Sequence, residues 1–228
     1  MPPVKPGHDP RTDGLMLTFG ACLAVLLAAL VLMYRATDGG SAFTTETLRR
    51  SEVARAPVPV PDFRVIDAGG NAQSLRALLA QSGDRAWIVD FVYTRCQTLC
   101  LALGTTFQRL QATIVEQGLQ DRVGLLSISF DPLQDGPPAL TDYAKRMRMQ
   151  PGVWRLVSLA HEADRRRLLD NFGIMVVPAP LGEFEHNAAL HLIDPAARLV
   201  HIFDLGEPGA ALEAALVVRN AHVSLSTR

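Results

Sequence analysis

The longest apolar stretch in the chain is Leu15 to Tyr34, LMLTFGACLAVLLAALVLMY, twenty residues without a charge. At 1.5 Å per residue it spans about 30 Å, the thickness of a hydrocarbon core, and predicts one membrane-spanning helix. The apolar part of a cleaved signal peptide is shorter, about 7–15 residues, and ends at an A-x-A-like site. Gly40-Ser41-Ala42 matches that site poorly, so the run reads as an uncleaved anchor. From Ala36 to Pro61 the pattern turns polar, opening with Gly39-Gly40-Ser41 and ending in Pro57, Pro59 and Pro61, as in a tether stiffened at its far end. The organisation that follows is a tail at 1–14, an anchor at 15–34, a linker at 35–56 and a globular domain at 57–228.

Within that domain the pattern alternates between strand and helix. Phe63 to Asp67 predicts a short strand closed by the Gly69-Gly70-Asn71 turn, and Leu75 to Leu79 a short helix. Trp87 to Tyr93 and Val123 to Phe130 are apolar runs suited to buried strands. Between them, Cys100 to Gln117 places Leu103, Phe107, Leu110 and Ile114 on one helical face, with Gly118 at its end. Leu140 to Met147, Glu162 to Phe172 and Ala210 to Ala221 read as further helices. Leu190 to Asp194 and Leu199 to Phe203 read as strands paired about the Pro195-Ala196-Ala197 turn. Such alternation predicts an α/β fold in which a central sheet is flanked by helices.

Composition narrows the setting. Of 228 residues, 48% are hydrophobic and 20% charged, and the net charge is −1, which gives no electrostatic footprint for nucleic acid. Three cysteines are too few for a disulfide-stapled scaffold. Cys22 falls inside the anchor, as a small residue of a membrane helix. Lys5 and Arg11 on one side of the anchor and Arg35, Arg49 and Arg50 on the other leave its orientation undecided by charge. The first fourteen residues include Asp9 and Asp13 and one Arg, unlike an Arg-rich, acid-poor mitochondrial presequence. The reading is a bacterial inner-membrane protein.

The other two cysteines carry the chemistry. Cys96 and Cys100 form a C-x-x-x-C pair where the Trp87 to Tyr93 strand gives way to a helix. On a helix, positions i and i+4 share a face, so two sulfurs at this spacing can converge on one metal ion. The same spacing fits the Cα separation of a disulfide, roughly 4.4–6.8 Å. The residues alone thus leave open a soft metal site, a redox dithiol and a structural disulfide. Arg95, beside Cys96, is a cation that favours thiolate.

A set of fragments follows in order along the domain: Pro61-Asp62-Phe63 with Asp67, then Phe91-x-Tyr93-Thr94-x-Cys96-x-x-x-Cys100, then Ser127-Ile128-Ser129-Phe130-Asp131-Pro132 with Asp135. Trp154-Arg155-Leu156, Asn171-Phe172-Gly173-Ile174, and Glu185-His186 followed by Leu192-Ile193-Asp194-Pro195 complete it. In these, over most of 57–228, the domain resembles the Sco/SenC family, thioredoxin-fold copper proteins that serve cytochrome c oxidase assembly. The family's Pro and Asp after its first cysteine, and Pro after its second, are here Gln97, Thr98 and Leu101, the mark of a divergent branch.

The resemblance implies a thioredoxin-like domain on a single-pass anchor, with its soluble part on the periplasmic side. It implies copper held by Cys96, Cys100 and His186, the histidine lying six residues before Leu192. His191 stands where the family has an aromatic residue and is the lesser candidate. Asp131 and Asp135 match a loop near the metal site, and Asp131 equally suits a turn cap before Pro132. His161, His201 and His222 read as ordinary surface or half-buried side chains. Thiolates select Cu(I) and an added imidazole suits Cu(II), so this set serves a protein that receives copper and passes it on. The implied partners are the copper-bearing subunit of the oxidase, a copper donor and the membrane. The alternative role is a tethered thiol:disulfide oxidoreductase acting on the oxidase copper-site cysteines, with Cys96 and Cys100 as its redox pair, or a sensor of copper or redox state. A peroxidase is disfavoured, because the proline-and-threonine context of peroxiredoxins is missing before Cys96.

Overall fold

The computed structural model describes residues 10–36, 45–81, 83–96, 99–179 and 184–226; at 10–17, 36, 45, 99–102 and 226 the description is of the backbone. His8, the Gly40-Ser41-Ala42 segment, Gln97 and Thr98 lie outside the described residues. The chain divides into two compact units, Met1–Ser51 and Glu52–Arg228.

The first unit holds helix α1 (Pro10–Ala36). Its window Thr18–Arg35 has a mean hydropathy of 1.9 and is long and apolar enough to cross a membrane. Phe19, Leu32 and Tyr34 are among its exposed side chains. The tether read from the sequence carries a second helix, α2 (Thr45–Arg55). Glu46 in its first turn and Arg55 in its last complement the helix dipole, and Arg50 Nε meets Glu46 Oε1 at 3.1 Å one turn away. Its polar composition hid it, because a helix with no apolar face leaves no periodic signal. Val53, near its end, joins the hydrophobic core of the second unit.

That unit is built on an eight-stranded mixed sheet. Its strands are β1 (Val58–Pro59), β2 (Arg64–Asp67), β3 (Ala72–Ser74), β4 (Ala86–Val92), β5 (Val123–Ser129), β6 (Trp154–Leu159), β9 (Ala189–Ile193) and β10 (Arg198–Asp204). They lie in the order β1-β10-β9-β4-β5-β6-β2-β3. β4, β5 and β6 run parallel, and β9 and β2 pair antiparallel to this trio on either side. Central β4 and β5 are buried at every position, which is why they read as continuous apolar runs rather than alternating ones. Among the described residues two short strands, β7 (Val176–Pro178) and β8 (Phe184–His186), pair only with each other.

Helices α3 (Leu75–Ala80), α4 (Leu99–Glu116), α5 (Pro137–Arg146), α6 (Arg165–Phe172) and α7 (Pro208–Ser226) connect and flank the strands. α4 buries Leu103, Phe107, Leu110 and Ile114, the face its periodicity predicts. It stops at Gly118, whose φ of +63° lets Leu119 N–H reach back to Ile114 O at 2.8 Å. The predicted Glu162 to Phe172 helix is a 3-10 turn (Glu162–Asp164) followed by α6. Strand β6 was not predicted as a strand: Arg155, whose guanidinium sits over the Trp87 ring, breaks the apolar run. The mixed sheet with flanking helices is the expected thioredoxin-like arrangement.

Candidate metal centre

Cys96 lies in the turn that follows β4, and α4 begins only at Leu99. The i, i+4 geometry of a helix therefore does not apply to the pair. Cys100 is in the first turn of α4, while Cys96 stands ahead of the helix, and the turn shape decides how they meet. That turn is tightly held. Asp135, 1% exposed, accepts hydrogen bonds from Thr94 N–H at 2.9 Å, from Thr94 Oγ1 at 2.6 Å and from Ser129 Oγ at 2.5 Å. Arg146 Nη2 donates to Thr94 O at 2.8 Å, and Cys96 N–H donates to Tyr93 O at 3.2 Å. Burial pushes the Asp135 carboxyl up; hydrogen bonds from Ser129 and Thr94 pull it back, and the nearby Asp131 adds to the rise.

Arg95, expected to act on Cys96, has its guanidinium on Asp131: Nη2 lies 3.0 Å from Oδ2 of that buried carboxylate. Asp131 is thus an ion-pair partner rather than a turn cap, and its N–H donates to Ser129 Oγ at 3.1 Å.

His186 is the last residue of β8, opposite Val176. Its Nδ1 lies 3.0 Å from Asn187 O. A carbonyl oxygen only accepts, so in the neutral ring Nδ1 carries the hydrogen and Nε2 keeps its lone pair. Nε2 is buried with no hydrogen-bond partner among the described residues. Burial lowers the His186 pKa, while the Asn187 carbonyl and the negative charge of Cys96 raise it in part. The ring is thus neutral at neutral pH and close enough to Cys96 to feel its charge. Phe130 and Tyr93 pack edge-on against it, with centroids 5.3 and 6.2 Å away.

Cys96, at 7% exposure, and His186, 90 residues apart in sequence, therefore lie within electrostatic reach of each other. The side chain of Cys100 lies outside the described residues, and among the described residues no group of three His, Cys, Asp or Glu gathers. A soft sulfur and a buried, unprotonated imidazole nitrogen fit a copper ion in either common oxidation state.

His191 does something else. It is 1% exposed, wedged edge-on between Phe91 and Phe172, with Nε2 3.1 Å from Phe172 O. His161 is exposed, and His201 and His222 are half-buried. The β7–β8 pair carrying His186 is not among the elements that the sequence pattern predicts. Two three-residue strands are too short for a periodic signal, and the β-branched pair Val176-Val177 beside Pro178 was the available cue.

The family model described as SCO1/SenC matches residues 53–219. The chain belongs to the SCO1/SenC family. A curated relative, the SCO1 protein homolog of Bacillus subtilis (strain 168), is 22% identical over 143 residues, covering 62% of this chain and 71% of the relative. Among solved structures, Bradyrhizobium japonicum ScoI with copper bound is 22% identical with a TM-score of 0.58, over 71% of this chain and 99% of that one. BsSco, described with a disulfide switch and as a member of the Sco family of cytochrome c oxidase assembly proteins, is 20% identical with a TM-score of 0.61, over 72% and 95%. These likenesses extend to the fold described above.

Proposed function

We propose that this chain is a membrane-anchored copper carrier for the assembly of cytochrome c oxidase, binding copper through Cys96, Cys100 and His186. The observation that carries the reading is the buried Nε2 lone pair of His186, which has no hydrogen-bond partner among the described residues and lies within electrostatic reach of Cys96. A buried acceptor left unpaired is unfavourable by roughly 1–3 kcal/mol unless something arrives to fill it. Copper here is cargo. The thiols lose protons as it binds, and the already neutral imidazole need lose none. Membership of the SCO1/SenC family and the copper-bound relative support the choice of metal.

Helix α1 would hold the domain at the bacterial inner membrane, with the domain on the periplasmic side. There its effective concentration toward an oxidase subunit in the same membrane is raised. Copper then passes by ligand exchange from a donor to this chain and on to the acceptor's copper-bearing subunit. A second use of the pair, thiol:disulfide exchange, is favoured by the place of Cys100 in the first turn of α4, since a helix N-terminus stabilises thiolate.

Anaerobic Cu(I) titration of the reduced chain against a competing chelator tests the reading. One tight equivalent, weakened by His186→Ala and abolished when both cysteines are replaced by Ser, is the expected result. Tight binding that survives the double Ser variant would overturn the ligand assignment.

A further inference from the structure

The two halves of the candidate site sit on elements that share no β-ladder. Cys96 follows β4 of the main sheet, and His186 rides on the β7–β8 hairpin, which pairs with no other strand among the described residues. A two-stranded hairpin of three-residue strands is marginal by itself, so something must dock it. Among the described residues the Arg165 guanidinium lies 4.7 Å from the centroid of the Phe184 ring and Phe130 packs edge-on against that ring, and hydrogen bonds add two fastenings. Asn187 bridges the hairpin to the end of α6, donating from Nδ2 to Gly173 O at 3.0 Å and accepting from Met175 N–H at 2.8 Å.

The other fastening is Tyr93. Its phenol oxygen donates to Phe184 O at 3.0 Å and accepts from Phe184 N–H at 3.2 Å, so one hydroxyl satisfies both backbone groups of the first residue of β8. Phe184 is two residues from His186 and therefore on the same face of the strand. The Tyr93 ring meets both Phe184 and His186 edge-on, at 5.3 and 6.2 Å between centroids. The same residue's carbonyl receives the Cys96 N–H at 3.2 Å. Tyr93 is 1% exposed, and both bonds of its hydroxyl are partly buried.

Resting on the ligand set proposed above, we infer that Tyr93 is a positioning residue: its hydroxyl clasps β8 and thereby fixes His186 Nε2 relative to the Cys96 sulfur. The hydroxyl itself binds no copper. It sets the spacing of the two donors by joining the strand that ends at the cysteine turn to the strand that carries the histidine.

Tyr93→Phe keeps the ring, the aromatic contacts and the carbonyl bond to Cys96, and removes the clasp. Two measurements on the full chain in detergent decide the matter. In the copper-free protein, hydrogen exchange at Phe184, Glu185 and His186 is expected to quicken about tenfold, as two hydrogen bonds are lost, while β4 and β5 amides keep their protection. In copper titrations, Tyr93→Phe is expected to weaken binding about tenfold in the otherwise natural chain, as loss of a ligand-orienting partner does, and to have no effect in the His186→Ala background. The copper(II) spectrum of Tyr93→Phe should shift toward that of His186→Ala.

Unchanged exchange in the hairpin would overturn the inference. So would an equal loss of affinity with and without His186, which would mean Tyr93 acts through the cysteine turn or through general stability. If His186→Ala itself left copper affinity unaltered, the ligand assignment would fail, and the exchange experiment would still judge the clasp.

Discussion

Asp90 sits in the middle of β4, fully buried and opposite Ser127 in the parallel ladder. Neither carboxylate oxygen has a hydrogen bond of ordinary geometry among the described residues. The Ser127 hydroxyl, already accepting from the Trp154 indole at 2.9 Å, only partly offsets the burial that lifts the Asp90 pKa to about 7. Below about pH 4 the group is protonated in both folded and unfolded chains and has no effect on the balance. Between 4 and 7 the unfolded chain gives up this proton and the native chain keeps it, so stability falls as pH rises and the loss is complete just above 7. Moving a carboxyl from 3.8 to about 7 corresponds, at about 1.4 kcal/mol per pH unit, to about 4 kcal/mol, of which about 3 kcal/mol falls between pH 5 and 8. Asp90→Asn removes the titration while keeping the shape. Urea unfolding of both chains at pH 5, 6, 7 and 8 should show the variant gaining about 3 kcal/mol on the natural chain from the lowest to the highest pH. Any fixed packing effect of the amide cancels in that comparison. A difference that stays flat across the range, or that widens toward acid, would refute the reasoning.

Asp135→Asn should lower unfolding stability by about 2–3 kcal/mol, because an amide cannot accept from Thr94 twice and from Ser129 as well; urea melts read this directly, and an unchanged midpoint would count against the turn architecture. Phe107→Ala empties a buried site whose ring packs 5.3 Å from Trp154 and should lower stability by about 3–5 kcal/mol by the same assay. Deleting residues 1–36 should move the protein from the membrane pellet to the supernatant on fractionation, and retention in the pellet would argue against α1 as the anchor.

The parts legible in the sequence were those with a long repeating signal. The buried central strands, the Leu103-Phe107-Leu110-Ile114 face of α4 and the apolar run of α1 all extend over enough residues for pattern to reveal them. The cysteine pair was legible because its residue types are rare here. The features that failed have physical reasons. Helix α2 has no apolar face, β6 is interrupted by Arg155, and the β7–β8 hairpin is too short to show a period. The helix-face argument for Cys96 and Cys100 failed because Cys96 stands in the turn after β4, ahead of α4. The Asp135 hold on Thr94 and the Tyr93 clasp on Phe184 join residues 41 and 91 positions apart, and no local pattern carries such pairings.

The most direct test of the central claim is X-ray absorption at the copper edge on the fully loaded, reduced chain, with His186→Ala beside it. Two sulfur neighbours and one imidazole nitrogen, with the nitrogen lost in the variant, is the predicted result. A shell containing sulfur alone in the natural chain, or an imidazole signal that persists without His186, would contradict the assignment of Cys96, Cys100 and His186 to one copper ion.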